Sequence, residues 1–352
     1  MKWCFLLFLV AAVESLFLQN YGSCKNRCFT PNDYNKPCQC DSDCESFNNC
    51  CGDFWRLCRG SEYGLVVTQA ELNTFAQQLW DNDVNRINSS LYTLSYQGQT
   101  TQNEETDMAT DKLFKPVDGQ LDALLSMANS TYALFIQLLD NYELNVQQSE
   151  HRPLVEIQEE DAFWAVASQT RVMQLASKFL LDNGFIKADQ HAFRAVINEM
   201  WFELYRGHSA LLHRHKSSGF EHIMIGEKLK NTHNMQHNIS NHIIGLNNWI
   251  QFYLLEKAEV VDYHGYLSYL QDPPMVSVQF LWNDAMARMK KFFVGTSPEF
   301  DMALYTVCGL ARPDKQCAVT INGQNITIKA STARHESILQ LTGAVPSFTS
   351  SV

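Results

Sequence analysis

Eight of the eleven cysteines fall within SCKNRCFTPNDYNKPCQCDSDCESFNNCCGDFWRLCR, Ser23 to Arg59, and no other feature limits the fold as sharply. They are Cys24, Cys28, Cys38, Cys40, Cys44, Cys50, Cys51 and Cys58. A segment this short buries too little apolar surface to fold unaided, and four disulfides would supply the missing constraint. Spacing alone leaves their pairing open. A zinc cluster is the competing reading; the vicinal pair Cys50-Cys51 and an oxidising compartment argue against it.

The compartment is read from the chain's start. MKWCFLLFLVAAVES is a lysine, an apolar run of signal-peptide length, then small or polar residues. That run is too short to span a bilayer, and no later stretch is long and apolar enough to do so. The expectation is a signal peptide over 1–16, cleaved between Ala12 and Phe17, and a secreted protein without a transmembrane segment. Cys4 then leaves with the leader, and Cys308 and Cys317 remain to form one further disulfide. Asn88, Asn129, Asn238 and Asn325 each head an N-glycosylation sequon. The formal charge of −11 opposes non-specific nucleic-acid binding, so an RNA reading must rest on a local site.

After the knot, the pattern is helical and then stranded. Thr68 and Glu71 have capping-box spacing ahead of an apolar stripe through Leu72, Phe75, Leu79 and Val84. TQNEETDMATDK, Thr101 to Lys112, reads as an exposed loop. Phe163, Val166, Thr170, Met173 and Ala176 predict one helix ending at Asn183-Gly184. Phe193, Val196, Ile197, Met200, Trp201 and Leu204 predict another, and these apolar side chains read as core. EHIMIGE, VSVQFLW and the pair AVTI-NGQN-ITIK read as strands, AVTI and ITIK being joined by an Asn322-Gly323 hairpin turn. Helices first and sheets later predict an α+β domain over 66–348.

Two resemblances follow from these segments. The C-x3-C, C-x-C-x3-C, CC and final Cys spacing resembles a somatomedin B domain over 20–60, which implies an extracellular protein or matrix partner. From Thr68 to Val345 the chain resembles the EndoU family, the uridylate-specific endoribonucleases. The resemblance rests on LWDNDVNR (79–86), TRVMQLASKFL (170–180), MWFELY (200–205), SSGFEHIMIGE (217–227), NNWIQFYLLEK (247–257) and TSPEFDMALYTVC (296–308). It implies N-terminal helices followed by antiparallel sheets, and an activity that cleaves single-stranded uridine-containing RNA, with Mn2+ stimulation, to a 2′,3′-cyclic phosphate. Such cleavage needs a base at the ribose 2′-OH, an acid at the leaving 5′-oxygen, and a cation or strong donor beside the phosphorane.

In the family, two histidines and a lysine fill these roles. His222, beside Glu221 in GFEH, matches the first histidine. GLNNW places Asn247 at the second, with Trp249 fixing the register, and counting from Trp282 places Ala287 at the lysine. Near the C-terminus, Leu341 and Gly343, or Thr342 with an offset of one, stand where the family holds uracil and phosphate. Asparagine donates hydrogen bonds but moves no proton near neutral pH. Asn247 also reads as the N-cap of the helix beginning at Trp249.

These departures predict a catalytically degenerate binding protein. The alternative is an active endoribonuclease in which His242 replaces the missing imidazole and Lys290 the missing lysine. A further alternative is an extracellular metal- or matrix-binding protein using His208, His213, His215, His222, His233, His237 and His242, though without an H-E-x-x-H spacing. A glycan on Asn238 would stand between the two histidine motifs.

Overall fold

Thr68 opens the first helix as the sequence predicts: Glu71 N–H donates to its hydroxyl, and the Glu71 carboxylate accepts from Thr68 N–H. The computed structural model describes residues 24, 27–28, 30–44, 47, 49–51, 54, 58, 67–142, 144, 152–206, 216–229, 241–335 and 338–349. The expected signal peptide lies outside the described residues. So do His208, His213, His215, His233, His237 and Asn238.

In the N-terminal segment all eight cysteines pair: Cys24–Cys40, Cys28–Cys58, Cys38–Cys51 and Cys44–Cys50. The sulfurs and the fully buried Phe54 form its core. The Gln39 side chain adds a polar brace, accepting from Asp33 N–H at 2.8 Å and donating to Asp33 O at 2.9 Å.

The α-helices beyond it are α1 (Gln69–Asn82), α2 (Gln120–Leu125), α3 (Thr131–Gln137), α4 (Leu154–Ala167), α5 (Arg171–Asp182), α6 (Ala192–Ile197), α7 (Trp249–Lys257) and α8 (Pro298–Ala311). Strands are β1 (Tyr92–Leu94), β2 (Phe114–Pro116), β3 (Tyr205–Arg206), β4 (Lys216–Ser217), β5 (Glu227–Leu229), β6 (Asn241–Ile244), β7 (Val261–Gln271), β8 (Pro274–Trp282), β9 (Ala285–Phe293), β10 (Gln316–Ile321), β11 (Gln324–His335) and β12 (Ile338–Phe348).

Three local expectations change. The single helix expected through Phe163 to Ala176 is two, because Thr170 is an N-cap: its hydroxyl accepts from Met173 N–H and donates to Ala167 O. Val84 lies past the end of α1 and is 82 % exposed, so the apolar stripe stops at Trp80. EHIMI is helical rather than stranded, and only Glu227–Leu229 pairs.

Two sheets carry the C-terminal half. β10-β11-β12 is antiparallel, turned by Asn322 and Gly323 at φ 49 and 76, the left-handed pair that a two-residue hairpin needs. The larger sheet runs β5-β6-β9-β8-β7. It is antiparallel except where β6 lies parallel to β9, with Asn241 opposite Ala285 and His242 opposite Met286. α8 is buried from Pro298 to Leu310 and packs against α1, α5 and β11, which explains why its sequence past Asp301 is apolar on almost every side. Cys308 on α8 is bonded to Cys317 on β10.

Polar contacts between distant motifs lock the layers. Ser297 N–H donates to Asp83 and Asn85 to Glu299, so LWDNDVNR and TSPEF are joined through buried carboxylates. Glu256 on α7 accepts from the backbone N–H groups of Leu113 and Phe114 and fastens β2 beneath the helix. Asn88, Asn129 and Asn325 are exposed. Among the described residues no helix is long and apolar enough to cross a membrane.

Candidate functional site

His222 sits in a wide helical turn made from the segment after β4. Ser218 organises it, its hydroxyl accepting from Glu221 N–H at 3.1 Å and its carbonyl from His222 N–H at 3.1 Å. The turn closes through Gly226 N–H to Glu221 O at 2.8 Å, an i to i+5 bond. Glu221, Ile223, Met224 and Ile225 are buried, whereas His222 is half-buried.

The carboxylate that serves His222 is Glu227, from the first residue of β5. Its Oε2 lies 2.6 Å from His222 Nδ1, and the Glu227 side chain is only 6 % exposed. A carboxylate on Nδ1 favours the proton there and leaves Nε2 as the acceptor of the neutral ring. Glu221, named beside His222 from sequence, instead points into the core. It lies close enough to Tyr142 to help raise that phenol, after the larger effect of burial.

The second motif is clamped onto the first by main chain. Leu246 N–H donates to His222 O at 3.1 Å and Asn247 N–H to Ile223 O at 2.8 Å. Gly245 permits this approach: its φ is 66, and a Cβ there would stand 1.6 Å from His222 O. The Asn247 amide, 3 % exposed, donates to Ala344 O on β12 at 3.0 Å. The expected cap role belongs to its neighbour: Asn248 Oδ1 accepts from Ile250 N–H and Gln251 N–H. Asn247 therefore holds a strand, and the sequence placed the cap one residue early.

The lysine position shows a second rearrangement. Ala287 is fully buried opposite Phe280, while Lys290 stands opposite Val278. Two steps along β8 thus match three along β9, a bulge that returns Lys290 to the sheet face of Ala287. Its ammonium donates to Ile243 O at 2.8 Å, just ahead of the Gly245 turn. Burial pushes its pKa down to about 7. His242 lies on β6 beside Leu229 and Met286, half-exposed, without a hydrogen bond to His222, Glu227 or Asn247.

β12 completes the enclosure, touching both β9 and the 221–225 turn. Leu341 is fully buried, and its hydrocarbon side chain belongs to the core. The ladder slips at Ser331 and Thr332, leaving Thr342 outside the register between Leu341 and Gly343. For a divalent ion the donor set at His222 is too small: among the described residues no third His, Cys, Asp or Glu joins His222 and Glu227 at ligating distance.

A profile for endoribonuclease XendoU matches residues 71–342, and one for the somatomedin B domain matches 22–61. A Mus musculus protein named uridylate-specific endoribonuclease is 32 % identical over 326 residues, 88 % of this chain and 74 % of that one. Uridylate-specific endoribonuclease D of Xenopus laevis is 35 % identical over 275 residues, covering 76 % and 83 %. The solved structure of XendoU, described as a splicing-independent snoRNA-processing endoribonuclease, superposes with a TM-score of 0.64 at 30 % identity, covering 80 % of this chain and 97 % of that one.

Proposed function

The chain belongs to the endoribonuclease XendoU family and carries a somatomedin B domain before it, and on that premise we propose a secreted RNA-binding member that has lost efficient cleavage. The observation behind this reading is the Asn247 amide, buried and committed to Ala344 O where a second imidazole would be needed. His222, oriented by Glu227, can take or give one proton at Nε2. Transesterification moves two, one from the 2′-OH and one to the departing 5′-oxygen, and with one group missing the rate falls by orders of magnitude. The disulfides and the somatomedin B domain favour an extracellular setting with a protein or matrix partner. Uridine-containing RNA is the cleft's ligand in this reading, because its relatives carry that specificity in their names.

The test is incubation of the purified protein with a uridine-containing oligonucleotide, with and without Mn2+, beside a His222→Ala control. The expected result is binding by fluorescence anisotropy and no cyclic-phosphate product above the control. Product that disappears with His222→Ala would overturn the reading. Asn247→His combined with Ala287→Lys is expected to gain product.

The bulge in β9 favours one second reading, weak cleavage assisted by Lys290, which shares the face of the absent lysine and is easily deprotonated. It requires product that is lost in both His222→Ala and Lys290→Met.

A further inference from the structure

At the far edge of the five-stranded sheet, His264 on β7 is only 8 % exposed, and its Nδ1 has no hydrogen-bond partner. Nδ1 is sealed from solvent, while the Nε2 side lies 3.6 Å from Asp262 Oδ2, beyond hydrogen-bonding distance. Leaving a buried polar group unmade is costly, and native structures seldom do so without a reason. Asp262 and His264 stand two apart on β7, where the ladder to β8 slips between Tyr263 and Gly265, and their side chains approach each other there.

A third group comes from a distant segment. Asp107, in the 101–112 loop, brings a carboxylate to the pair, and one ligand atom from each of Asp107, Asp262 and His264 lies within 4.8 Å of the others. The loop is anchored at that point: Met108 N–H donates to His264 O at 2.8 Å, and Ala109 N–H to Asp107 Oδ1 at 3.0 Å. Behind it, Gly265 lets the chains meet, since a Cβ there would stand 2.5 Å from Gly98 O.

We propose that Asp107, Asp262 and His264 bind a divalent first-row transition ion, with Mn2+ and Zn2+ as the fitting species. Two carboxylates carry the charge that such an ion neutralises, and an imidazole selects against Mg2+ and Ca2+, which prefer all-oxygen shells. Ligands at about 2.1 Å from one ion stand roughly 3 Å or a little more apart, so the exposed carboxylates need only swing onto the fixed imidazole. Solvent fills the remaining positions. The ion would fasten the 101–112 loop to β7. His222 and Glu227 flank β5, four strand spacings away across the β5-β6-β9-β8-β7 order, or about 19 Å. The site is thus separate from the His222–Glu227 pair.

The experiment titrates the full disulfide-bonded protein with MnCl2, following loss of the free-ion EPR signal, and repeats the titration with ZnCl2 by calorimetry. Asp107→Asn and Asp262→Asn are the informative variants, because both side chains are exposed and the change is isosteric. Asparagine also keeps the acceptor for Ala109 N–H. The wild type is expected to bind an ion that each variant holds at least about tenfold more weakly. MnCl2 should also protect the 101–112 loop from proteolysis in the wild type alone. Absence of saturable binding at millimolar ion would overturn the proposal, as would affinity and protection unchanged in both variants.

Discussion

Replacing Lys290 by methionine tests whether the bulge in β9 truly buries an amine. The side chain is 9 % exposed, and burial lowers its pKa from the ordinary 10.5 to about 7. Between those values the unfolded chain binds a proton that the folded one does not, so stability must fall as pH drops from about 10.5 to about 7 and then level off. The full span corresponds to on the order of 4 to 5 kcal/mol, and the part between pH ~9.5 and ~6.5 to about 3 kcal/mol. Methionine abolishes that dependence. It also leaves Ile243 O without its donor, which costs about 1–3 kcal/mol at every pH. The diagnostic is therefore the slope of the difference rather than its absolute size. Urea unfolding with disulfides intact, at both pH values, should show Lys290→Met gaining about 3 kcal/mol on the wild type as the pH is lowered. Parallel curves for the two proteins would show that Lys290 is solvated, and the argument from the bulge would fail.

Glu256 should show the opposite sign. Burial lifts its carboxyl from 4.5 to about 7, so the stabilisation linked to it is complete below about 4.5 and is lost as pH rises through about 7. Glu256→Gln should remove about 3 kcal/mol of that dependence, seen as a flatter stability profile between pH 4.5 and 8. Gly245→Ala forces a side chain into His222 O at positive φ. It should cost more than ~3 kcal/mol in chemical denaturation and weaken RNA binding with it. Replacing Cys308 and Cys317 together by alanine should cost about 2–3 kcal/mol, measured the same way, because the bridge closes a short loop between α8 and β10.

The sequence was most readable where signals were local. The Thr68 cap, the Asn322-Gly323 hairpin and the strand ending at Trp282 all stand where their residues place them. It misled where a local signal ran in phase across a boundary. Thr170 lies in register with both Phe163 and Met173, so the break between α4 and α5 left the periodicity intact. β-Branched Ile223 and Ile225 resemble strand residues, but Ser218 and the close approach of Leu246 and Asn247 hold them in a helical turn. The cap read at Asn247 belongs to Asn248, and the partner that occupies the Asn247 amide comes from β12, about a hundred residues away. The rest was invisible in one dimension. Simple strand alternation puts Ala287 and Lys290 on opposite faces, and no residue type between them announces the bulge. The sequence named Glu221 because it adjoins His222, whereas the partner is Glu227, brought round by the Gly226 exit. Asp107 and His264 carry no shared motif, and only the docking of the loop on β7 joins them.

The turn at 245–248 also bears on how this site can change over time. Its attachment to the His222 turn runs through backbone N–H groups and a glycine, so the geometry is inherited whatever side chain occupies position 247. Histidine and asparagine codons differ by a single base, and a second imidazole is one such step away. Lysine at 287 requires more than one base change from alanine. A change to histidine at 247 would therefore give up the amide's bond to Ala344 O but leave the main-chain clamp in place, and a lysine at 287 would be the slower one to arise.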